Sequence, residues 1–408
     1  MIRYPIAIFP LILFFPYFIH AQSISIQKAV DLALKQNSDL KMIQTEVDIS
    51  KSKVLQAGNI PNLSIEGGWS EIPNYVKVPD AGEFELGLVQ EFEFPGKRSS
   101  RVESAEMQVS KTQLLFQLNQ KMVSKDVKLK YFEILLVRKE IENIETLLSS
   151  LSSVQSSLIS GFQNGKILLT QIQQIKLEII KTETEKQNLI LKEKKLIREF
   201  DLLTGRNNSE LLLLSDSLNS SQIISNEISA ETSISLKIIQ MESEQLALNK
   251  KTAGLSGMPD FSVGGSFQRR GTPFGQKDNY AGLTVGMSIS SLFTDEKKGK
   301  TLEADLMVKQ NDLKTEKSKL IIESQIRALK EKLSVEKERV QTYRKLVETD
   351  SKNMLSTALT YFISGQISFM EMLGIFRSAK EIQESYNHSL YNYHTTLTEM
   401  ETANEITK

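Results

Sequence analysis

Between residues 97 and 160 apolar side chains recur at helical spacing with no proline, and Leu115, Met122, Leu129 and Leu136 stand seven residues apart. The same step joins Leu306, Leu313 and Leu320, and then Ile326, Leu333 and Val340. Heptad spacing predicts helices packed side by side with a left-handed, coiled-coil-like twist. A helix over 97–160 would be about 95 Å long at ~1.5 Å per residue, deeper than an ordinary domain core. Two windows break this pattern. In 62–69, 83–90, 260–267 and 280–289 polar and apolar residues alternate every second position, which predicts strands. Each is near the 9 to 11 residues of a tilted membrane-crossing strand, with a Ser/Glu/Gly side and a Leu/Ile/Val/Phe side, as in a barrel with a wet lumen.

Proline marks the same windows. Beyond residue 21 the prolines are Pro61, Pro73, Pro79, Pro95, Pro259 and Pro273, so everything outside 61–95 and 259–273 is free of the residue that costs a helix about 3 kcal/mol. The chain also repeats itself. Pro61-Asn-Leu-Ser-Ile-Glu-Gly67 matches Pro259-Asp-Phe-Ser-Val-Gly-Gly265 at an offset of 198, Phe94 with Ala105 matches Phe293 with Ala304 at 199, and Phe162-x-x-Gly165-x-Ile167 matches Phe362-x-x-Gly365-x-Ile367 at 200. The expected organisation is therefore two tandem copies of one unit. Residues 22–210 hold a helix over 24–57, a strand pair over 61–94, the long helix 97–160, a tip and a helix over 167–203. An equatorial crossover takes 204–226. Residues 227–408 hold a helix, a strand pair over 259–292, a long helix over 297–362, a second tip and a helix over 366–405. The two shorter helices of the first unit have 34 and 37 residues and the long one 64, so the short pair stacked end to end spans the same rod.

Composition narrows the function. Met1–Ala21 has one cation, Arg3, then an apolar run from Ile6 to Ile19 broken by Pro10 and Pro16, the pattern of a secretory signal peptide and too short for a membrane-spanning helix. Removing 1–21 leaves 387 residues with 49 basic and 50 acidic side chains, which gives no basic patch for nucleic acid. There is no cysteine, hence no disulfide framework and no lipid-bearing thiol, so stability must come from packing and oligomerisation. The only histidines beyond the signal are His388 and His394, and no P-loop, nucleophile motif or metal-ligand spacing occurs. Neither a cofactor nor a bound metal is expected. Met354, Met370 and Met372 near the second tip read as packing rather than soft-cation ligands. An exported enzyme on a helical scaffold lacks any convergent acid, base or nucleophile. A periplasmic coiled-coil adaptor or structural protein would need compact domains around one hairpin instead of two equivalent halves.

Four strands cannot close a membrane barrel, and an open sheet in lipid strands its edge donors and acceptors at several kcal/mol each, so a barrel requires two or three chains. The signal, the twofold repeat, the strand pairs and the Phe-x-x-Gly-x-Ile turns together resemble the TolC family of outer-membrane efflux channels over the whole chain after the signal. That resemblance implies a mixed, mainly α membrane protein: a homotrimer with a shared 12-stranded barrel in outer-membrane lipid, four strands from each protomer, continued by a long periplasmic α-helical barrel. It also implies a passive exit duct for a periplasmic adaptor (membrane fusion) protein and an inner-membrane RND-type pump. Glu93-Phe-Pro-Gly-Lys-Arg98 with Arg101 and Ala105 resembles the CzcC/CusC-like branch, which implies heavy-metal cations as cargo; multidrug efflux and type I protein secretion are the alternatives within the family. The matching adaptor-docking tips are Gly161, Phe162, Gly165, Ile167, Phe362, Gly365 and Ile367. Glu371 takes the position of an acidic periplasmic pore ring, with uncharged Gln171 its first-half counterpart and Gly374 where a second family acid stands. The basic clusters Lys97-Arg98 with Arg101 and Lys297-Lys298 with Lys300 fall where barrel meets tunnel, and read as charges that keep a helix start soluble.

Overall fold

The structure is a computed structural model describing residues 23–70, 82–165, 167–206, 212–218, 229–255, 257–270, 278–288 and 295–405. The expected signal peptide, Phe293 and most of the crossover 204–226 lie outside these. In chain order the elements are α1 (Ile26–Gln36), α2 (Ser38–Ala57), β1 (Ser64–Ser70), β2 (Glu83–Phe92), α3 (Lys97–Gln163), α4 (Leu169–Thr204), α5 (Ile234–Leu255), β3 (Asp260–Arg270), β4 (Asp278–Ser288), α6 (Glu296–Lys345), α7 (Lys352–Ile363) and α8 (Phe369–Glu401). The 67 residues of α3 make a rod of about 100 Å.

Two helices differ from the spacing that announced them. The first short helix is divided at buried Asn37, whose Oδ1 accepts from the amides of Asp39 and Leu40 at 2.9 and 3.1 Å while its Nδ2 donates to Leu203 O at 2.9 Å. That side chain caps α2 and ties it to the end of α4, where an unbroken helix would leave the amide group without partners. The second long helix, expected unbroken over 297–362, is interrupted by a π-helical segment, Leu346–Ser351, between α6 and α7. A π turn inserts one residue into the helical ladder, so the heptad seam shifts there, which residue spacing alone did not show.

The strands form one antiparallel sheet in the order β1-β2-β3-β4, so the two repeats join through β2 and β3. The helices follow the sheet: α2 packs on α3, α3 on α5, and α5 on α6. Burial is strung along the rod rather than gathered in one core. One cluster sits where α1, α3 and α4 meet, around Val127, Tyr131, Ile134 and Phe200. A second lies at the hairpin end around Leu151, Leu158, Ile175 and Met372, and a third joins Leu236, Ile239, Ile322 and Met400. The crossover meets the segment that enters α1, where Leu214 bridges Ile24.

Candidate functional site

The pleat sorts the sheet into two chemically distinct sides, because successive strand residues point to opposite faces. Pairing aligns one side in rows that run Phe92, Phe261, Met287; then Gln90, Val263, Val285; then Ile65, Leu88, Gly265, Leu283; then Gly67, Leu86, Phe267, Ala281; and last Trp69, Phe84, Arg269, Asn279. Apart from Gln90 and, in the last row, Arg269 and Asn279, this side is apolar, and nothing among the described residues covers it: Leu283 is 80% exposed and Val285 74%. Aromatic residues mark both ends, with Phe92 and Phe261 opposite each other at one and Trp69 packed on Phe84 at 5.2 Å between centroids at the other. Five rows span about 27 Å at ~3.4 Å per residue, close to the ~25 Å apolar band of an outer-membrane barrel with its aromatic girdles. The opposite side is mostly polar, carrying Ser64, Glu66, Glu83, Glu85, Glu91, Ser262, Ser266, Gln268, Arg270, Asp278 and Thr284, with Val89 and Tyr280 its large apolar members. β1 and β4 are the outer strands, and no strand among the described residues pairs with either sheet edge. No helix among the described residues is long and apolar enough to cross a membrane.

At the far end of the rod the two hairpin tips are built alike. Gly165 and Gly365 sit at φ +70° and +76°, a left-handed conformation costing a side-chain-bearing residue about 1 to 2 kcal/mol. Gln366 N donates to Tyr361 O at 2.8 Å and Gly365 N to Phe362 O at 3.0 Å, the paired bonds of a Schellman helix end. Gly161 and Phe162 fall inside α3, which runs to Gln163, so the first reversal is shorter than the sequence suggested. A Cβ on Gly161 would lie 2.6 Å from Ile167 Cγ1, so glycine is there for close packing. Ile167, Phe362 and Ile367 pack on one shared cluster, which brings both tips together. Phe362 also meets Phe369 at 6.0 Å between centroids, whereas Phe162 is 44% exposed, so the two phenylalanines that the repeat equates differ in burial.

Gln171 and Glu371 occupy the same capping position. Gln171 Oε1 accepts from Leu168 N at 3.0 Å; Glu371 Oε2 accepts from Ser368 N at 2.7 Å and Glu371 N donates to Ser368 Oγ at 3.2 Å. The Ser368 backbone bond, with help from its side chain, holds the exposed Glu371 carboxyl below the usual carboxylate range. Met372, one residue on, is fully buried in the tip cluster, as packing requires, while Met370 is exposed.

Neither a protein-family model nor a curated protein sequence matches the chain. Solved structures do. The chain matches CusC, described through conformational changes accompanying folding and transmembrane channel formation, at TM-score 0.80 and 15% identity over 93% of this chain and 92% of that one. It matches the outer membrane protein VceC of Vibrio cholerae at 0.75 and 13% over 93% and 95%, and the open state of the MtrE outer membrane channel of Neisseria gonorrhoeae at 0.76 and 13% over 93% and 88%. This is the TolC-type channel fold.

Within the channel fold, sequence reasoning missed the polar contacts that join its parts. The first basic cluster is a staple between strand and helix: Lys97 Nζ donates to both carboxylate oxygens of Asp260 and to Met258 O, each at 2.9 Å. Arg101 donates to Ala57 O at 2.9 Å, to Asn59 O at 3.0 Å and to Glu93. These bonds fix the base of the sheet on the helices, and those of Lys97 link the first repeat to the second. The Lys97 staple has one cue, its place one residue after Gly96 and two after Pro95 at a helix start, but nothing in the sequence names Asp260 as its partner. Glu405 was missed entirely. It is buried and takes the amides of Ile234 and Ser235 at 3.0 and 2.8 Å, capping α5 from 171 residues away, with Lys121 Nζ at 2.9 Å.

Proposed function

We propose that this chain is one protomer of a homotrimeric outer-membrane exit channel of the TolC family, which passively conducts substrates delivered by an inner-membrane RND-type pump and a periplasmic adaptor. The single observation that carries this reading is the four-stranded sheet with a ~27 Å apolar side between aromatic rows, a polar reverse side and two open edges. Lipid covers the first side, a water-filled lumen the second, and neighbouring protomers the edges. β1 and β4 are antiparallel to their inner neighbours, so β4 of one copy meets β1 of the next in the same antiparallel sense around a closed ring. Three copies give the 12 strands that the resemblance implies.

The charge of the lumen side supports cations as cargo, with heavy-metal cations the specific proposal. Lys97 neutralises Asp260 and Arg270 bonds Glu83, while Glu66, Glu85 and Glu91 project to the same side. Rings of carboxylates raise the local concentration of cations and disfavour anions. At the other end Glu371 keeps an exposed carboxylate, which in three copies forms a second acidic ring, and the tips with Phe162, Gly165, Gly365 and their neighbours are the adaptor-docking surface. Channel activity is tested by reconstituting the full chain in planar bilayers: a stable conductance with cation over anion preference is expected, and no conductance refutes the reading. Cargo is tested by deleting the gene and scoring growth across divalent metals, dyes and detergents. Metal sensitivity is the expected outcome; sensitivity to dyes and detergents with unchanged metal tolerance turns the cargo to drugs.

A further inference from the structure

The apolar side of the sheet differs at its two ends. At the helix end, where the chain passes into α3 and out of α5, the row Phe92, Phe261, Met287 holds no polar side chain. At the far end, where β1 leads to β2 and β3 to β4, the row reads Trp69, Phe84, Arg269, Asn279. Arg269 is the one ionisable side chain on this side among the described residues. It is exposed, and no hydrogen bond or ion pair engages it among those residues. Asn279, its direct partner in the pairing of β3 with β4, is exposed as well. Side chains opposite each other across an antiparallel pair stand about 4.5 to 5.5 Å apart at Cβ, so the guanidinium and the amide serve one patch of surface. Arg270, the next residue, points to the polar side instead, where its Nε donates to Glu83 Oε1 at 3.2 Å and its guanidinium lies 5.4 Å from the centroid of the Tyr280 ring. Of two adjacent arginines, one is engaged within the chain and the other is turned outward.

With the helices in the periplasm, the Arg269 row stands at the outer face of the membrane. An arginine at this depth lays its methylene stem along the apolar surface and lifts its charged head to the lipid headgroups, beside aromatic side chains that favour the same level. The outer leaflet of an outer membrane is a glycolipid whose acylated disaccharide carries phosphate monoesters at that level, crowded anions that divalent cations ordinarily bridge. A guanidinium fork matches two oxygens of such a phosphate and stays charged at every physiological pH. The Asn279 amide adds further donors. The inner leaflet is made of phospholipid, and the row that meets it carries no cation. The asymmetry of the sheet thus follows the asymmetry of the membrane.

Resting on the channel reading, we infer that Arg269 and Asn279 form a binding site for a phosphate group of the outer-leaflet glycolipid, one site on each protomer, in which the arginine takes the place of a bridging divalent cation. The acyl chains of the same lipid lie on the apolar rows beneath, next to Phe267 and Ala281. The site fixes the level of the barrel in the membrane from its outer side, while the Lys97 and Arg101 bonds fix its base on the helices.

The test titrates the full chain, purified as the delipidated assembly in detergent, with bisphosphorylated lipid A and counts bound lipid by native mass spectrometry. Saturation at one lipid A per chain is expected. Arg269→Gln should weaken binding about tenfold or more, the worth of a charged hydrogen bond to phosphate. Arg269→Lys, which keeps the charge and loses the fork, should weaken it less. Asn279→Asp, which sets a carboxylate beside an intact arginine, should also weaken it, and Arg270→Gln on the lumen side should leave it unchanged. Lipid A stripped of its phosphates should bind the native protein about tenfold more weakly or worse. Equal binding by Arg269→Gln and the native protein, equal binding of phosphate-free lipid A, or phosphatidylglycerol bound as tightly as lipid A overturns the inference. The same spectra report the number of chains: an oligomer that gives any of these results leaves the channel reading standing, whereas a monomer that fails to insert into lipid vesicles overturns both.

Discussion

The assignment of the two sheet sides is most sharply tested by moving one charge across the pleat at a fixed depth. Leu283 lies in the middle row of five, about 14 Å from the aromatic row at either end when two rows of two residues are counted at ~3.4 Å per residue. An arginine there stands at the centre of the apolar band, where lipid-facing Arg or Lys costs about 2 to 4 kcal/mol. Thr284, the next residue, pairs with Gly264 on the polar side and is exposed. Its replacement by arginine should stay within about 0.5 kcal/mol, as for an ordinary solvated position. The measurement is folding of the full chain into lipid vesicles across a urea series, read by retarded migration of the unheated oligomer on a gel. At ~1.4 kcal/mol per factor of ten, Leu283→Arg should lower the folded-to-unfolded ratio about 30- to 700-fold, and Thr284→Arg less than about threefold. Equal tolerance of both, or a larger loss for Thr284→Arg, refutes the assignment of lipid and lumen.

Removing the Glu405 carboxylate as Glu405→Ala leaves the amides of Ile234 and Ser235 and the Lys121 ammonium without their acceptor; with Lys121 partly solvated, a loss of about 2 to 4 kcal/mol is expected in denaturant unfolding. Burial pushes this carboxyl up, but the two backbone bonds, Lys121 and Ser235 together hold it below the usual glutamate range. Its contribution is therefore complete above the ordinary glutamate pKa and is lost as pH falls through the lower folded value, so a melting series from neutral pH downward should fall more steeply in the native protein than in Glu405→Ala. Tyr131→Phe removes the hydroxyl lying 2.8 Å from both Ile24 O and Asp216 Oδ2 and should cost about 1 to 2 kcal/mol in the same assay. Gly365→Ala forces a side chain into φ +76° and should cost about 1 to 2 kcal/mol, while Gly365→Asn costs less, by thermal unfolding. Glu371→Gln keeps the cap that Gln171 shows a glutamine can make, so unfolding should be unchanged while cation preference in planar bilayers falls; unchanged preference removes Glu371 from the conduction path.

Local periodicity determined the elements, because a 3.6-residue or two-residue pattern of apolar side chains is imposed by the helix or strand that buries it. Leu115 to Leu136 and Leu306 to Leu320 announced the long helices, the alternation in 83–90 and 260–267 announced strands, and the offset near 200 announced that the design is used twice. The sequence by itself did not separate residues that the repeat makes equivalent. Phe162 and Phe362 stand at matching positions, yet among the described residues Phe362 packs on the shared tip cluster beside Phe369 while Phe162 stays 44% exposed. Nor did it show the π-helical interruption at Leu346–Ser351, the pairing of β2 with β3, the Lys97–Asp260 staple or the Glu405 cap, whose partners are separated by 163 residues or more in the last two cases. A hydrogen bond needs correct distance and direction but leaves no periodic trace in the chain, so contacts between distant polar residues are decided only when the packed helices and sheet bring them together.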